Sequence, residues 1–237
     1  MTRRPRPGAF KKGPAFLLFL AALCFYGCGG PPDPLIEIGR TLSAVPTFSV
    51  ILDDMKEEGL LFKDYFHKYK VIAPEKTTQT DWKPVSSNYY SRHLPFLGMT
   101  IYHKKDGKVE GAYGPPGYEY VGDTRYGHWQ TNTSGQSFWT FYGQYRLFSD
   151  LLGGGPIYRD HYNSYSSYRS QGRPYYGPNN EYGTSGSMTQ KQRPDFFTRR
   201  MSKETAKKSS FASKVEQRTG RTSASTSVRS RSGGSGK

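Results

Sequence analysis

The chain has 237 residues, enough for one or two ordinary domains. Aliphatic residues are sparse while Gly, Pro, Tyr and Ser abound, which excludes a core using the whole length and points to a single modest one. The net charge of +15 sits at the two ends: residues 1–12 carry +5, residues 191–237 carry +10, and residues 13–190 balance to zero, which argues against a basic globular nucleic-acid-binding domain and for a basic tail.

Arg3, Arg4, Arg6, Lys11 and Lys12 form a positive leader, and Ala15 to Tyr26 is a run of mostly apolar residues. A helix of that length reaches about 18 Å at 1.5 Å per residue. That falls short of a hydrocarbon core about 30 Å thick. A positive leader, a short apolar run and a small residue at the exit form the pattern of a cleaved signal peptide, here residues 1–27. The exit reads Phe25-Tyr26-Gly27-Cys28, with cleavage expected between Gly27 and Cys28. This resembles the lipobox of bacterial lipoproteins, in which a small residue precedes a cysteine that receives a diacylglyceryl group. Gly27 and Cys28 fit, whereas Phe25 and Tyr26 are bulkier than the usual Leu and Ala or Ser. The resemblance implies a lipid on Cys28, a membrane anchor and a cell-envelope location. Gly29, where an Asp would favour inner-membrane retention, leans towards the outer membrane in a Gram-negative cell. Processing there also removes Cys24, so the mature chain keeps no free thiol for a disulfide, a nucleophile or a cysteine metal site.

Residues 28–34 read as a short, stiff lipidated tether. The α+β domain is expected over 35–155. TFSVILDDM and FKDYFHKYKVI read as two strands joined around KEEGL, an antiparallel hairpin with one buried face. WKPV (82–85) reads as a short strand. Ser86 and Ser87 offer N-caps for a helix limited by Pro95 and ended at Gly98. Asp106-Gly107 between TIYHK and KVEGAY is a strong hairpin signal. Phe138, Phe141, Tyr142, Tyr145, Phe148 and Leu152 recur at three- and four-residue steps, which predicts a C-terminal amphipathic helix over 137–152, ended by Gly153 to Gly155. Beyond Pro156 tyrosines are scattered among Ser, Gly, Asn and Arg without aliphatic company, so 156–237 reads as a disordered region. The fold class is therefore α+β: a small antiparallel sheet with one or two helices, followed by a long disordered basic tail.

No motif assigns a reaction. His67, His93, His103, His128 and His161 form neither an HExxH pair nor a zinc spacing, and no cofactor or metal site is expected. His67 and His103 fall in expected strands, where a half-buried or surface position is the ordinary one. Asp53-Asp54 and Glu57-Glu58 lack the spacing of a calcium loop and read as a solvated turn face. The stretch SFWTFYGQYRLFSDLLGGG, followed by KKSSFASKVEQRTGRTSAS and a Gly-rich end, resembles uncharacterised bacterial envelope lipoproteins with an SFW-start helix and a Ser/Arg/Gly tail. That resemblance implies no catalytic residue. The expectation is a lipid-anchored envelope protein with a binding or scaffold role. Its membrane contact would run through the anchor, and its basic tail would meet anionic lipid, lipopolysaccharide or an acidic wall polymer at roughly 1 kcal/mol per charge. Nucleic acid is disfavoured by the charge distribution. The alternative is an envelope enzyme acting through the α+β domain, with His67, His93, His103 and His128 beside acids.

Overall fold

The alternation of large and polar side chains on either side of KEEGL builds a long antiparallel hairpin, β1 (Phe48–Glu58) with β2 (Asp64–Ala73). The computed structural model describes residues 30–226 apart from 60, 61, 74, 75, 112 and 154, with side chains through residue 218. Ahead of β1 lies helix α1 (Pro34–Thr41), whose N-cap Asp33 accepts the Leu35 amide at 2.9 Å. After β2 come β3 (Lys76–Gln79) and β4 (Lys83–Val85), which pair with different stretches of β2. Helix α2 (Ser87–His93) starts on the Ser86 cap, as its sequence predicts, and passes through a 3-10 turn at Leu94–Phe96. Strands β5 (Thr100–Lys105) and β6 (Lys108–Glu110) then form the hairpin expected at Asp106-Gly107. Both turn residues have positive φ, 52° and 79°, the left-handed backbone that a two-residue hairpin turn requires. The sheet order is β3-β2-β1-β5-β6, with β4 also on β2. The fold is α+β.

Period-two alternation along β1 makes two cores, one on each face of the sheet. Phe48, Val50 and Leu52 point to the face covered by α1 and α2, where they meet Tyr69, Val71, Tyr90 and Ile101. Ile51 points to the other face, with Ile72 and Met99. Each such fully buried side chain contributes about 1.5–3 kcal/mol.

The second face is covered by the segment from Tyr113 onwards, and here the structure departs from the sequence reading. The expected helix over 137–152 is instead strand β8 (Ser137–Phe141), a 3-10 turn (Gly143–Tyr145) and a single-turn helix α3 (Leu147–Leu151). Strand β8 pairs with β7 (Gly127–Thr131) and β9 (Ile157–Tyr158) in a second, three-stranded sheet. Aromatic residues favour strands over helices. The cross-strand pair Trp129–Trp139, with ring centroids 5.3 Å apart in a T-shape, adds to that preference.

The region expected to be disordered from 156 is ordered through 226, with residue 226 the last one described. Helix α4 (Arg159–Ser170) and a loop follow β9, then helices α5 (Ser187–Gln192) and α6 (Pro194–Thr226). Tyr165, Tyr175 and Tyr182 are buried against Tyr118, Tyr120, Trp139 and Phe148. Tyrosine rings supply the apolar area that aliphatic residues supply elsewhere, and each buries 150–250 Å² or so. Helix α6 opens with Pro194 and Asp195 in its first turn, both suited to a helix N-terminus. Phe196 plugs into the core beside β1, and every side chain from Met201 to Arg218 is exposed.

Candidate functional site

Three constellations of polar side chains stand out. The first lies between the main sheet and the 3-10 turn Tyr118–Tyr120. Ser49 and His103 are cross-strand partners on β1 and β5. The Ser49 hydroxyl donates to Glu119 Oε1 at 2.5 Å and lies 2.7 Å from the Tyr120 hydroxyl. Thr100 donates to the same carboxylate oxygen at 3.2 Å. His103 Nε2 lies 3.2 Å from Glu110 Oε2, and Glu110 also pairs with Arg169 of α4. Burial holds the His103 imidazole below its ordinary pKa, with the Glu119 carboxylate opposing.

A serine, a histidine and an acid within one network have the residue types of nucleophilic catalysis. Ser49 and His103 are completely buried, however, and Glu119 nearly so. The cavity bounded by Thr47, Tyr120, Tyr126 and Phe148 measures about 10 Å³, room for no more than one water. The network therefore satisfies buried polar groups across the sheet–loop boundary. It presents no surface to a substrate.

The second constellation lies on the opposite face. Asp33, the cap of α1, accepts from the Tyr89 hydroxyl at 2.9 Å. Tyr89 and Tyr69 hydrogen-bond to each other, and the Tyr69 hydroxyl lies 3.0 Å from His67 Nδ1. His93 donates from Nδ1 to the Tyr89 carbonyl at 2.9 Å, which fixes its tautomer, and stacks on the Tyr89 ring. Burial pushes His67 down to about 3, with the neighbouring His93 adding to the effect. The His67 ring is thus neutral at ordinary pH, and burial lowers the His93 pKa as well.

The four histidines of the enzyme alternative do not converge. His67 and His93 share this aromatic cluster, with ring centroids 5.9 Å apart. His103 lies on the other face of the sheet, and half-buried His128 sits on β7 against Tyr142. The strand histidines are buried, contrary to the ordinary expectation for such positions. Each sits opposite a core-facing residue in the ladder, Met55 for His67 and Ser49 for His103. Among the described residues, no group of three or more His, Cys, Asp and Glu is placed to hold a metal ion.

The third constellation corrects the reading of the acidic cluster. Asp53 is buried, and its Oδ1 lies 2.8 Å from Arg193 Nη2 and 3.9 Å from Lys70 Nζ. Gln79 hydrogen-bonds its second oxygen. Arg193 also donates from Nε to the Asp53 carbonyl at 2.8 Å. Arg199 bonds Asp54 Oδ1 at 2.5 Å, and Lys203 donates to the Glu57 carbonyl. Glu57 pairs with Lys63 at 2.7 Å, and this hydrogen bond holds its carboxyl below the ordinary range, with Lys203 and Lys207 adding to it. A ladder of acid–base pairs thus fastens α6 alongside β1. No motif announces these pairs, since the partners lie some 140 residues apart. The one sequence hint is the unusual local excess of acids in β1.

The candidate lipidation and cleavage residues, Gly27 and Cys28, lie outside the described residues, as does the whole of 1–27. Among the described residues, no helix is long and apolar enough to cross a membrane. Among the described residues, the side chains of α6 from Met201 to Arg218 are exposed. Comparison with known proteins finds no matching family model, no similar curated protein and no similar solved structure.

Proposed function

We propose that this is a lipid-anchored bacterial envelope protein, held by Cys28, with a binding or scaffold role. Its basic C-terminal segment meets an anionic surface. The observation that carries the reading is the pairing of a signal-like N-terminus ending in Gly27-Cys28 with ten net positive charges over residues 191–237. Helix α1 begins at Pro34, six residues after Cys28, which leaves a tether of the right length between an anchored cysteine and a folded domain. The Ser49–His103–Glu119 network is buried within the domain and lends no support to the enzymatic alternative.

The test is metabolic labelling with a palmitate analogue, followed by membrane fractionation. Wild-type protein incorporates the label and sediments with membranes. Cys28→Ser loses both. Unchanged labelling and sedimentation of Cys28→Ser overturns the reading.

A further inference from the structure

Period-two alternation also governs the small sheet, and it gives that sheet two unlike faces. Trp139 and Phe141 of β8 and Ile157 of β9 point inward and are buried in the second core. The residues between them point the other way. Phe138 lies opposite Gln130 of β7 on one side and Tyr158 of β9 on the other. Thr140 lies opposite His128. Tyr142 continues β8 by the same two-residue step, and its amide donates to the Tyr126 carbonyl at 2.9 Å. These six side chains share one face, and each is exposed or half-buried. Among the described residues, Phe138 and Tyr158 belong to neither core.

The polar members form a row across two strands. Gln130 Nε2 donates to His128 Nε2 at 2.9 Å, and the Thr140 hydroxyl donates to Gln130 Oε1 at 3.3 Å. A Gln amide has two N–H groups and two carbonyl lone pairs, so one donor and one acceptor remain for a ligand, and the Thr140 oxygen keeps its acceptor lone pairs. The aromatic members flank this row. The Tyr142 ring stacks on His128 with centroids 5.5 Å apart and an interplanar angle of 26°, and Tyr142 is 42% exposed. Phe138 and Tyr158 are direct cross-strand neighbours, and His161 of α4 meets the Tyr158 ring edge-on with centroids 5.4 Å apart. From Phe138 to Tyr142 the face runs about 13 Å, and three strands make it about 10 Å wide.

The chemistry of the face selects its ligand. None of the six residues is a Lys, Arg, Asp or Glu. Arg159, the next residue along, turns to the opposite side of the sheet, its guanidinium 3.9 Å from the Trp129 ring centroid. A phosphate backbone or an anionic headgroup therefore finds no partner cation within the face. A small molecule needs a concave site, and an open sheet face is not one. A sugar ring matches both kinds of group at once. Its axial C–H bonds make an apolar face that lies on an aromatic ring, and its equatorial hydroxyls both donate and accept. A polysaccharide linked through equatorial positions repeats this along a flat ribbon. Such a ribbon suits an elongated open surface, on which no sugar is enclosed and the contacts accumulate along the chain.

We propose that the outer face of the small sheet binds an uncharged, equatorially linked polysaccharide. Its pyranose rings lie on Phe138, Tyr158 and Tyr142, and its hydroxyls meet Gln130 and Thr140. The proposal rests on the binding half of the reading above and not on the lipid at Cys28.

The test is co-sedimentation of the full chain, held in detergent, with insoluble cellulose and with insoluble chitin, both linked equatorially, and with granular starch, which is linked axially. The protein should sediment with cellulose or chitin and stay in solution with starch; preference for chitin reports that an acetamido group is accepted. Tyr142→Ala and Gln130→Ala, both at exposed positions, should each weaken retention about fivefold while melting like the wild type. Val109→Ala, 58% exposed on β6 of the main sheet, should leave retention unchanged. Cys28→Ser should be retained like the wild type whatever its palmitate labelling shows, so failure of the anchor and failure of the glycan face are read separately. Retention by neither cellulose nor chitin overturns the proposal. Retention that survives Tyr142→Ala and Gln130→Ala, or that high salt abolishes, belongs to another surface such as the basic C-terminal segment and also overturns it. Dimerisation that is lost in Tyr142→Ala, with no glycan retained, assigns the face to a second copy of this chain instead.

Discussion

Replacing Arg193 with alanine should destabilise the domain by about 3 kcal/mol, because it strands a buried carboxylate. In the intact protein the guanidinium makes two contacts with Asp53, at 2.8 Å to the side chain and 2.8 Å to the carbonyl. The two side chains are 14% and 9% exposed, so little water reaches the pair. Removing one partner of a buried pair costs about 3–5 kcal/mol, mostly the penalty of the charge left behind. Lys70 at 3.9 Å and the Gln79 amide stay with Asp53, which places the cost at the lower end. For a domain of this size each kcal/mol lowers Tm by about 2–4 °C, giving a drop of about 6–12 °C. Calorimetry or circular dichroism on the intact chain measures it. Arg193→Lys should fall between the two. The double variant Asp53→Asn/Arg193→Ala should lose less than the sum of its parts, since no carboxylate is stranded. Arg193→Ala melting within about 1 °C of wild type, or strict additivity in the double variant, would refute a buried ion pair as the fastening of α6.

Acid should destabilise the fold through His67. Its folded pKa of about 3 lies below the unfolded value of about 6.5, so the unfolded chain takes the proton first. This stabilisation is fully present above pH 6.5 and is lost as pH falls through the window down to about 3. At pH 5 the loss is about 2 kcal/mol relative to pH 7, and His67→Gln should flatten that part of a stability–pH profile read by urea unfolding. Tyr165→Ala should open a cavity among Tyr118, Tyr162 and Tyr175 and cost about 3–5 kcal/mol, whereas a disordered segment would show no change in melting. Gly127→Ala should cost about 1–3 kcal/mol, because a Cβ there would collide with the Thr140 carbonyl and the Trp139 ring; Gly143→Ala, with open space around it, is the matched control.

The parts of the fold that sequence displays are those whose signals are local. Asp106-Gly107 dictates its own hairpin, Ser86 caps its own helix, and the alternation in FKDYFHKYKVI needs only its own neighbours to show a strand. The SFWTFYGQYRLF segment misleads because two different structures produce one spacing. Trp139 and Phe141 alternate along β8, while Phe148 folds back from α3 to meet Phe141 with ring centroids 5.5 Å apart. Together these positions mimic a helical stripe. The stretch after Pro156 misleads for a different reason. A count of aliphatic residues misses a core whose apolar area is carried by Tyr165, Tyr175 and Tyr182. The candidate polar sites were not legible at all, because Ser49 finds Glu119 across 70 residues and Arg193 finds Asp53 across 140. Such pairs follow from strand register and helix docking, which no local pattern encodes.

The placement of α6 on β1 also sets a clock. Strand β1 lies at the centre of the main sheet, and one of its faces is closed by Phe196 and fastened by Arg193. At about 5–20 residues per second, the ribosome needs roughly 7–30 s to make the residues between Asp53 and Arg193. For that interval the central strand exists without the element that seals it, and non-local closure of this kind is slow in itself. The sheet is closed only after Arg193 and Phe196 have been made. A product truncated before Phe196 keeps an open apolar seam along its central strand, and quality-control proteases can recognise it by that seam.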